Sequence, residues 1–158
     1  MHPRFLFRFL LLLPVWLLAV LSSGSFGQED PSPTPAAPET DVSARSKALE
    51  LAGAFSNDGY KIRDGYWPGE IEPNRPQFLE VNLFSGNEYW FSAAVNPPGR
   101  KIAVSVFNEL GKPTDFQTYE DGQVAAAGFV PELSGRYYVK LTLLEGEKAQ
   151  FCLLYSYK

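Results

Sequence analysis

The sequence has few of the residues from which catalytic and metal sites are usually built. It contains one cysteine, Cys152, and one histidine, His2. A single cysteine excludes an internal disulfide, so the fold must rest on its hydrophobic core. Because His2 lies in a predicted leader peptide, the mature protein is expected to lack histidine. That argues against Ser–His–Asp and Cys–His mechanisms and against histidine-ligated zinc, and we expect no enzyme activity, cofactor or metal.

The first 27 residues have the order of regions that is typical of a signal peptide. Arg4 and Arg8 make a basic start, Phe9–Leu21 is an apolar run, and Ser25 and Gly27 are small residues suited to the −3 and −1 positions of a cleavage site. The apolar run is shorter than the ~20 residues that a membrane-spanning helix needs. We therefore expect cleavage after Gly27, export to the periplasm or the extracellular space, and no membrane span in the mature form.

The predicted mature chain is acidic. Loss of Arg4 and Arg8 with the leader lowers the formal net charge from −4 to −6. Nucleic-acid binding requires a basic surface that displaces counterions from the phosphate backbone. We therefore expect no nucleic-acid partner.

The rest of the sequence divides into a linker and a domain. Residues 28–40 contain four prolines and no large apolar side chain, which predicts a disordered, Pro-rich linker. Residues 41–158 are the predicted domain, and 41–55 is its one helix candidate. The predicted buried face of that helix is made of four apolar residues, Ala48, Leu49, Ala52 and Phe55.

From residue 60 onward apolar residues occupy every second position, which is the pattern of half-buried β-strands. Five segments alternate in this way: 79–83, 89–95, 102–106, 137–143 and 151–155. A sixth strand is predicted at 124–130, and one or two more within 60–71. Glycine and proline turns separate the strands, and no helix intervenes. We predict an all-β, antiparallel, jelly-roll-like β-sandwich of about 7–8 strands with one short N-terminal helix.

The order of the motifs is similar to that of the bacterial pre-peptidase C-terminal domains. Residues 83–91 (LFSGNEYWF) resemble their L-x-x-G-x-x-Y-x-F opening, and residues 102–111 (IAVSVFNELG) resemble the strand and turn that follow. Residues 129–141 (FVPELSGRYYVKL) resemble their P-x-x-S-G-x-Y-Y-V-x-V segment, and residues 151–157 resemble their last strand. The resemblance covers residues 71–158.

This resemblance implies a small jelly-roll-like sandwich of secreted proteins, usually appended to a protease or another hydrolase. Here we expect the stand-alone secreted form, without a catalytic domain. The Asp-x-Asp sequence that the family usually has before its second strand is missing, because residues 96–101 are NPPGRK. The resemblance therefore supports the fold and the compartment and transfers no site.

Three aromatic residues are the candidate ligand-binding residues. Trp90, Phe107 and Tyr138 alternate with the predicted core of their strands and so fall on outer faces of the sandwich. Exposed rings can stack on sugars, and the expected partner is a polysaccharide or an envelope protein. The alternative is that the 41–55 helix and the 60–72 segment cover the rings, as in a structural envelope component without a discrete ligand.

The expected function is a non-catalytic binding or accessory module at the cell envelope. A structural or stabilising envelope component is the alternative. A hydrolase is a distant alternative. Carboxylates such as Glu145 and Glu147 could serve in hydrolysis, but they lie in predicted turns, where they are expected to be solvated charges.

Overall fold

The computed structural model of the protein describes residues 39–158. The helix α1 (Glu39–Ala54) runs into a short 3-10 helix at Phe55–Asp58. Nine strands follow: β1 (Lys61–Ile62), β2 (Trp67–Ile71), β3 (Gln77–Leu83), β4 (Tyr89–Asn96), β5 (Lys101–Asn108), β6 (Gln117–Asp121), β7 (Val124–Phe129), β8 (Gly135–Glu145) and β9 (Ala149–Tyr157). Among residues 39–158, no helix has the length and apolar character needed to cross a lipid bilayer. The predicted signal peptide and residues 28–38 of the predicted linker lie outside the described residues.

The strands form two antiparallel sheets, and the all-β sandwich predicted from the sequence is confirmed. The six-stranded sheet has the order β1–β9–β4–β7–β6, and its remaining strand, β2, also pairs with β9. The three-stranded sheet has the order β3–β8–β5. The inner faces of both sheets contribute to one hydrophobic core. This leaves two outer faces, one on each sheet.

The core is built from alternate residues of each strand, because neighbouring side chains of a pleated strand point to opposite faces. The residues predicted to face inward in the five alternating strands are buried, except Leu79, which is partly exposed and packs against the core. At one end of this core, Phe91 and Tyr155 pack with their ring centroids 5.6 Å apart. The predicted inward and outward sides of these strands are therefore confirmed.

Small residues bring α1 onto the outer face of the six-stranded sheet. Ala44, Ala48 and Ala52 recur at every fourth position of the helix and are buried. They cluster with three buried residues of the sheet: Ala94, Cys152 and Leu154. Methyl side chains on the helix allow its backbone to lie close to the strands, so the helix forms a third layer on this side of the sandwich.

The helix and the strand count differ from the prediction. The helix begins at Glu39, before the predicted start, and its buried face passes through Ala44 instead of Leu49, which is 39% exposed. The segment 60–71 contains two strands, and β6 is an additional one. The alternation does not predict β6 because all of its residues are exposed, so it carries no apolar period.

Candidate functional site

Trp90 lies on the outer face of the six-stranded sheet, and the 3-10 helix covers it. The Phe55 ring stacks on the indole, with ring centroids 4.2 Å apart and the planes 10° from parallel. The indole also lies against Gly128 of β7, where a Cβ atom would be 2.8 Å from Trp90 Cζ2. Residue 128 must therefore be glycine for the indole to lie flat on the sheet.

Phe107 and Tyr138 lie side by side on the outer face of the three-stranded sheet, as cross-strand partners in β5 and β8. The ring of Phe78 in β3 adjoins them, with its centroid 6.3 Å from that of Phe107, and Phe78 is 57% exposed. The Lys140 ammonium lies 6.0 Å from the centroid of Phe78 and 5.8 Å from that of Phe107. We refer to Phe78, Phe107, Tyr138 and Lys140 as the aromatic surface.

The structure thus brings two of the three predicted ligand-binding residues together and separates the third. α1 packs against β4, β7 and β9, which all belong to the six-stranded sheet. On the three-stranded sheet, the segment after β5 turns back along the edge of that strand, where Pro113 forms a bridge with Phe107. The predicted cover therefore exists for Trp90 and not for Phe107 or Tyr138.

Polar groups border the aromatic surface. Glu80 is the cross-strand partner of Tyr138, and its carboxylate is 3.8 Å from the Arg136 guanidinium. Ser105 is the partner of Lys140 in β5. Lys140 forms no ion pair with any residue in the described part of the chain. The face therefore offers one exposed ring and two half-buried rings beside hydrogen-bonding groups and a cation that lies near two of the rings.

Phe78 and Lys140 were not among the residues that the sequence singles out. Both alternate with core residues, so the period of two places each on an outer face. Their meeting depends on the register of three strands, in which Phe78 is opposite Lys140 and Lys140 is opposite Ser105. The sequence pattern does not contain that register.

A cleft with a volume of about 530 Å³ opens at one end of the sandwich. We call it the end cleft. Its walls are the segment 108–115, between β5 and β6, and the segment 129–137, between β7 and β8. Arg136 lines this cleft and also pairs with Glu80 beside Tyr138, so the end cleft adjoins the aromatic surface. The sequence predicts strands and turns in this region and carries two segments of the family resemblance there, but it predicts no cleft.

A polar cluster fastens the end of β9. The Tyr60 hydroxyl donates to Glu88 Oε2 at 2.8 Å, and Lys158 Nζ lies 3.2 Å from the same oxygen. The bond from Tyr60 and then that from Lys158 lower the pKa of Glu88. Burial, followed by the bond to Glu88, raises the pKa of Tyr60. Each of the three side chains is bound to another member of the cluster, so the arrangement holds the end of β9 in place. None of the three is left as an unpaired acid or base.

Within the described residues, no group of three or more His, Cys, Asp or Glu side chains is placed to hold a metal ion. No family model matches the chain, and no curated protein sequence matches it. The resemblance to pre-peptidase C-terminal domains therefore stays a prediction. Its Ser-Gly-x-Tyr-Tyr-Val motif begins at Ser134, directly before β8, and ends in that strand.

Proposed function

We propose that this protein is an exported, non-catalytic binding module that holds a polysaccharide on the aromatic surface. The observation that carries the proposal is the outer face of the three-stranded sheet, where an exposed ring, Phe78, and two half-buried rings, Phe107 and Tyr138, lie on a side that α1 does not cover. Exposed apolar surface that is rimmed by polar groups often marks a binding site.

The chemistry of this face suits a sugar polymer. Pyranose rings have flat apolar faces, which pack on aromatic rings, and hydroxyl groups around their rims. On the protein, Glu80, Ser105 and Arg136 border the rings and offer donors and acceptors at the same level.

The sequence supports the non-catalytic part of the proposal. No histidine follows His2, so the described domain contains no histidine base. Beside the aromatic surface, the carboxylate of Glu80 forms an ion pair with Arg136. Glycoside hydrolysis requires two carboxylates that flank the scissile bond.

A glycan array, followed by calorimetric titration with the best-binding oligosaccharide, tests the proposal on protein expressed from the full-length sequence. Phe78→Ala and Tyr138→Ala should each weaken binding about tenfold, which corresponds to about 1.4 kcal/mol. Phe84→Ala is the matched control, because Phe84 is also a highly exposed phenylalanine and lies just after β3. It should leave the affinity unchanged.

Two results would count against the proposal. One is that the array shows no glycan bound above background. The other is that a Phe78→Ala/Tyr138→Ala double variant, folded by its melting curve, retains full affinity. Trp90→Ala separates the two outer faces, because loss of binding in that variant alone would move the site to the six-stranded sheet.

A structural role without a discrete ligand is the second candidate. The stacking of Phe55 on Trp90 favours it, because that contact uses an outward aromatic residue for packing. In a purely structural module, substitutions on the aromatic surface alter no binding event. The titrations with Phe78→Ala and Tyr138→Ala therefore distinguish the two candidates.

A further inference from the structure

The end cleft is separate in its chemistry from the aromatic surface. Its floor includes Phe129 and Tyr137, whose rings pack together at 5.2 Å and are almost completely buried. Buried rings present no face on which a sugar could stack. The volume of about 530 Å³ lies within the range of cavities that hold a small ligand or a few side chains.

The rim of the end cleft carries three exposed apolar side chains. Leu110 and Leu133 are each 75% exposed, and Val130 is 58% exposed. These two leucines are the most exposed of the large apolar residues in the described part of the chain. Leucines on the two walls of one cleft form an apolar surface that association with a partner would remove from water.

Hydrogen bonds fix the backbone of the two turns that carry these leucines. The Asn108 side-chain oxygen accepts from the backbone N–H groups of Leu110 and Lys112, at 3.1 and 3.0 Å. On the other wall, the Tyr137 hydroxyl donates to the Leu133 carbonyl at 2.8 Å. Both turns are therefore fixed before a partner arrives, which reduces the entropy lost on binding.

The charge of the end cleft is negative. Three exposed carboxylates line it, from Glu109, Asp115 and Glu132. None of the three forms an ion pair or a side-chain hydrogen bond with another described residue. The single cationic side chain that lines the cleft, Arg136, is already beside Glu80 at 3.8 Å. A cationic ligand is therefore attracted to the cleft and an anionic one repelled.

We propose that the end cleft binds a segment of a partner protein that carries both lysine or arginine and large apolar side chains. Leu110, Val130 and Leu133 receive the apolar side chains, and the three carboxylates attract the cations. Neither a neutral sugar nor a purely charged ligand uses both features. This site extends the proposed function, because a module with a polysaccharide surface and a peptide cleft can hold a partner protein at the polymer.

The test uses protein expressed from the full-length sequence and short fluorescein-labelled peptides in which leucine and lysine are spaced by glycine and serine. The peptide should bind in fluorescence anisotropy at moderate ionic strength. A peptide with glutamate in place of lysine, and another with serine in place of leucine, should each bind about tenfold more weakly or worse. These two peptides test the charge and the apolar contact on the unaltered protein.

Variants of the protein locate the site. The triple variant Glu109→Gln/Asp115→Asn/Glu132→Gln should weaken binding of the leucine–lysine peptide about tenfold. The matched control, Glu120→Gln/Asp121→Asn/Glu147→Gln, removes the same charge from residues that do not line the cleft, and it should retain the affinity. Leu110→Ser/Leu133→Ser should also weaken binding, whereas Tyr138→Ala on the aromatic surface should not.

Three outcomes overturn this proposal. Equal weakening by the two triple variants means that binding follows the overall charge of the protein. Full affinity in Leu110→Ser/Leu133→Ser means that the apolar rim is not used. Concentration-dependent dimerisation that Leu110→Ser/Leu133→Ser abolishes means that the occupant is a second copy of this chain. The glycan titrations are unaffected by any of these results, so the polysaccharide proposal stands or fails separately.

Discussion

The two outer faces of the sandwich are built from different side chains. On the six-stranded sheet, the strands beneath α1 present small residues, including Ser92, Ala94 and Ala126, and these are buried. On the three-stranded sheet, β3 and β8 present the large rings of Phe78 and Tyr138 together with charged groups, and these are exposed in part or in full. One face carries a third layer of structure, and the other meets solvent.

The difference shows how side-chain volume decides what an outer face can do. Small residues let a helix lie close to strands, and here three helix alanines cluster with Ala94 and Cys152 as well as the larger Leu154. Such a face is used for packing. Small size does not itself bring a helix, because Ala103 and Ser105 of β5 lie on the uncovered face. These two residues are natural controls for Ala94 and Ser92.

Ala94→Leu should produce the largest effect of the substitutions on the two faces. The added carbon atoms have no space between β4 and α1, and overpacking of a filled interior costs about 1–3 kcal/mol. Ala103→Leu makes the same chemical change on the uncovered face and should alter the free energy of unfolding by about 0.5 kcal/mol or less. Urea denaturation of both variants measures this difference.

The comparison would fail if the two leucine variants had equal stability. Far-UV circular dichroism gives an independent reading, because displacement of α1 lowers the helical signal of Ala94→Leu only. A variant that is destabilised with its helical signal intact would mean that the sheet, not the helix, absorbs the strain.

The alternation of apolar residues was enough to predict most strands and their buried sides. It works for β4 and β8 because each has one face in the core, so the period of two is complete. It does not reveal which sheet a strand joins. Trp90, Phe107 and Tyr138 have the same position relative to the core pattern, and yet they lie on two different outer faces. Register and strand order come from long-range pairing, which a local pattern does not contain.

The helix shows a second limit of the sequence pattern. A period of 3.6 residues with large apolar side chains indicates the buried face of a typical amphipathic helix. α1 buries Ala44, Ala48 and Ala52 against the sheet and leaves Leu49 partly exposed. Tertiary contact thus favours the smallest residues over the most apolar one. The end cleft was likewise not predictable, since its walls come from two separate turn regions that only the folded chain brings together.

Ser92→Ala should increase the free energy of unfolding, in contrast to Ala94→Leu, and by a smaller amount. The Ser92 hydroxyl is buried on the covered face, and its oxygen has no hydrogen-bond partner within residues 39–158. Removing an unsatisfied buried hydroxyl should stabilise the protein by about 1 kcal/mol. Ser105→Ala on the uncovered face, where water reaches the hydroxyl, should be close to neutral. Thermal and urea denaturation measure both, and a destabilised Ser92→Ala would show that the hydroxyl is satisfied in solution.

The smallest expected effect is on the pH dependence of stability, through the cluster of Tyr60, Glu88 and Lys158. In this cluster Lys158, which follows β9, is bound to Glu88, which precedes β4. Hydrogen bonds from Tyr60 and Lys158 lower the folded-state pKa of Glu88, so the folded state favours its ionised form. This contribution to stability is present above the unfolded-state pKa of the carboxyl and is lost as the pH falls through the folded-state pKa. Glu88→Gln should therefore slightly lower the free energy of unfolding near neutral pH, and it should make the loss of that free energy in acid shallower.

Glu80→Gln is the control on the uncovered face, where the ion pair with Arg136 is long and exposed. Urea titrations from neutral to acidic pH compare the two slopes. If Glu88→Gln and Glu80→Gln gave the same slope as the unaltered protein, the cluster would add no more to stability than an ordinary surface ion pair.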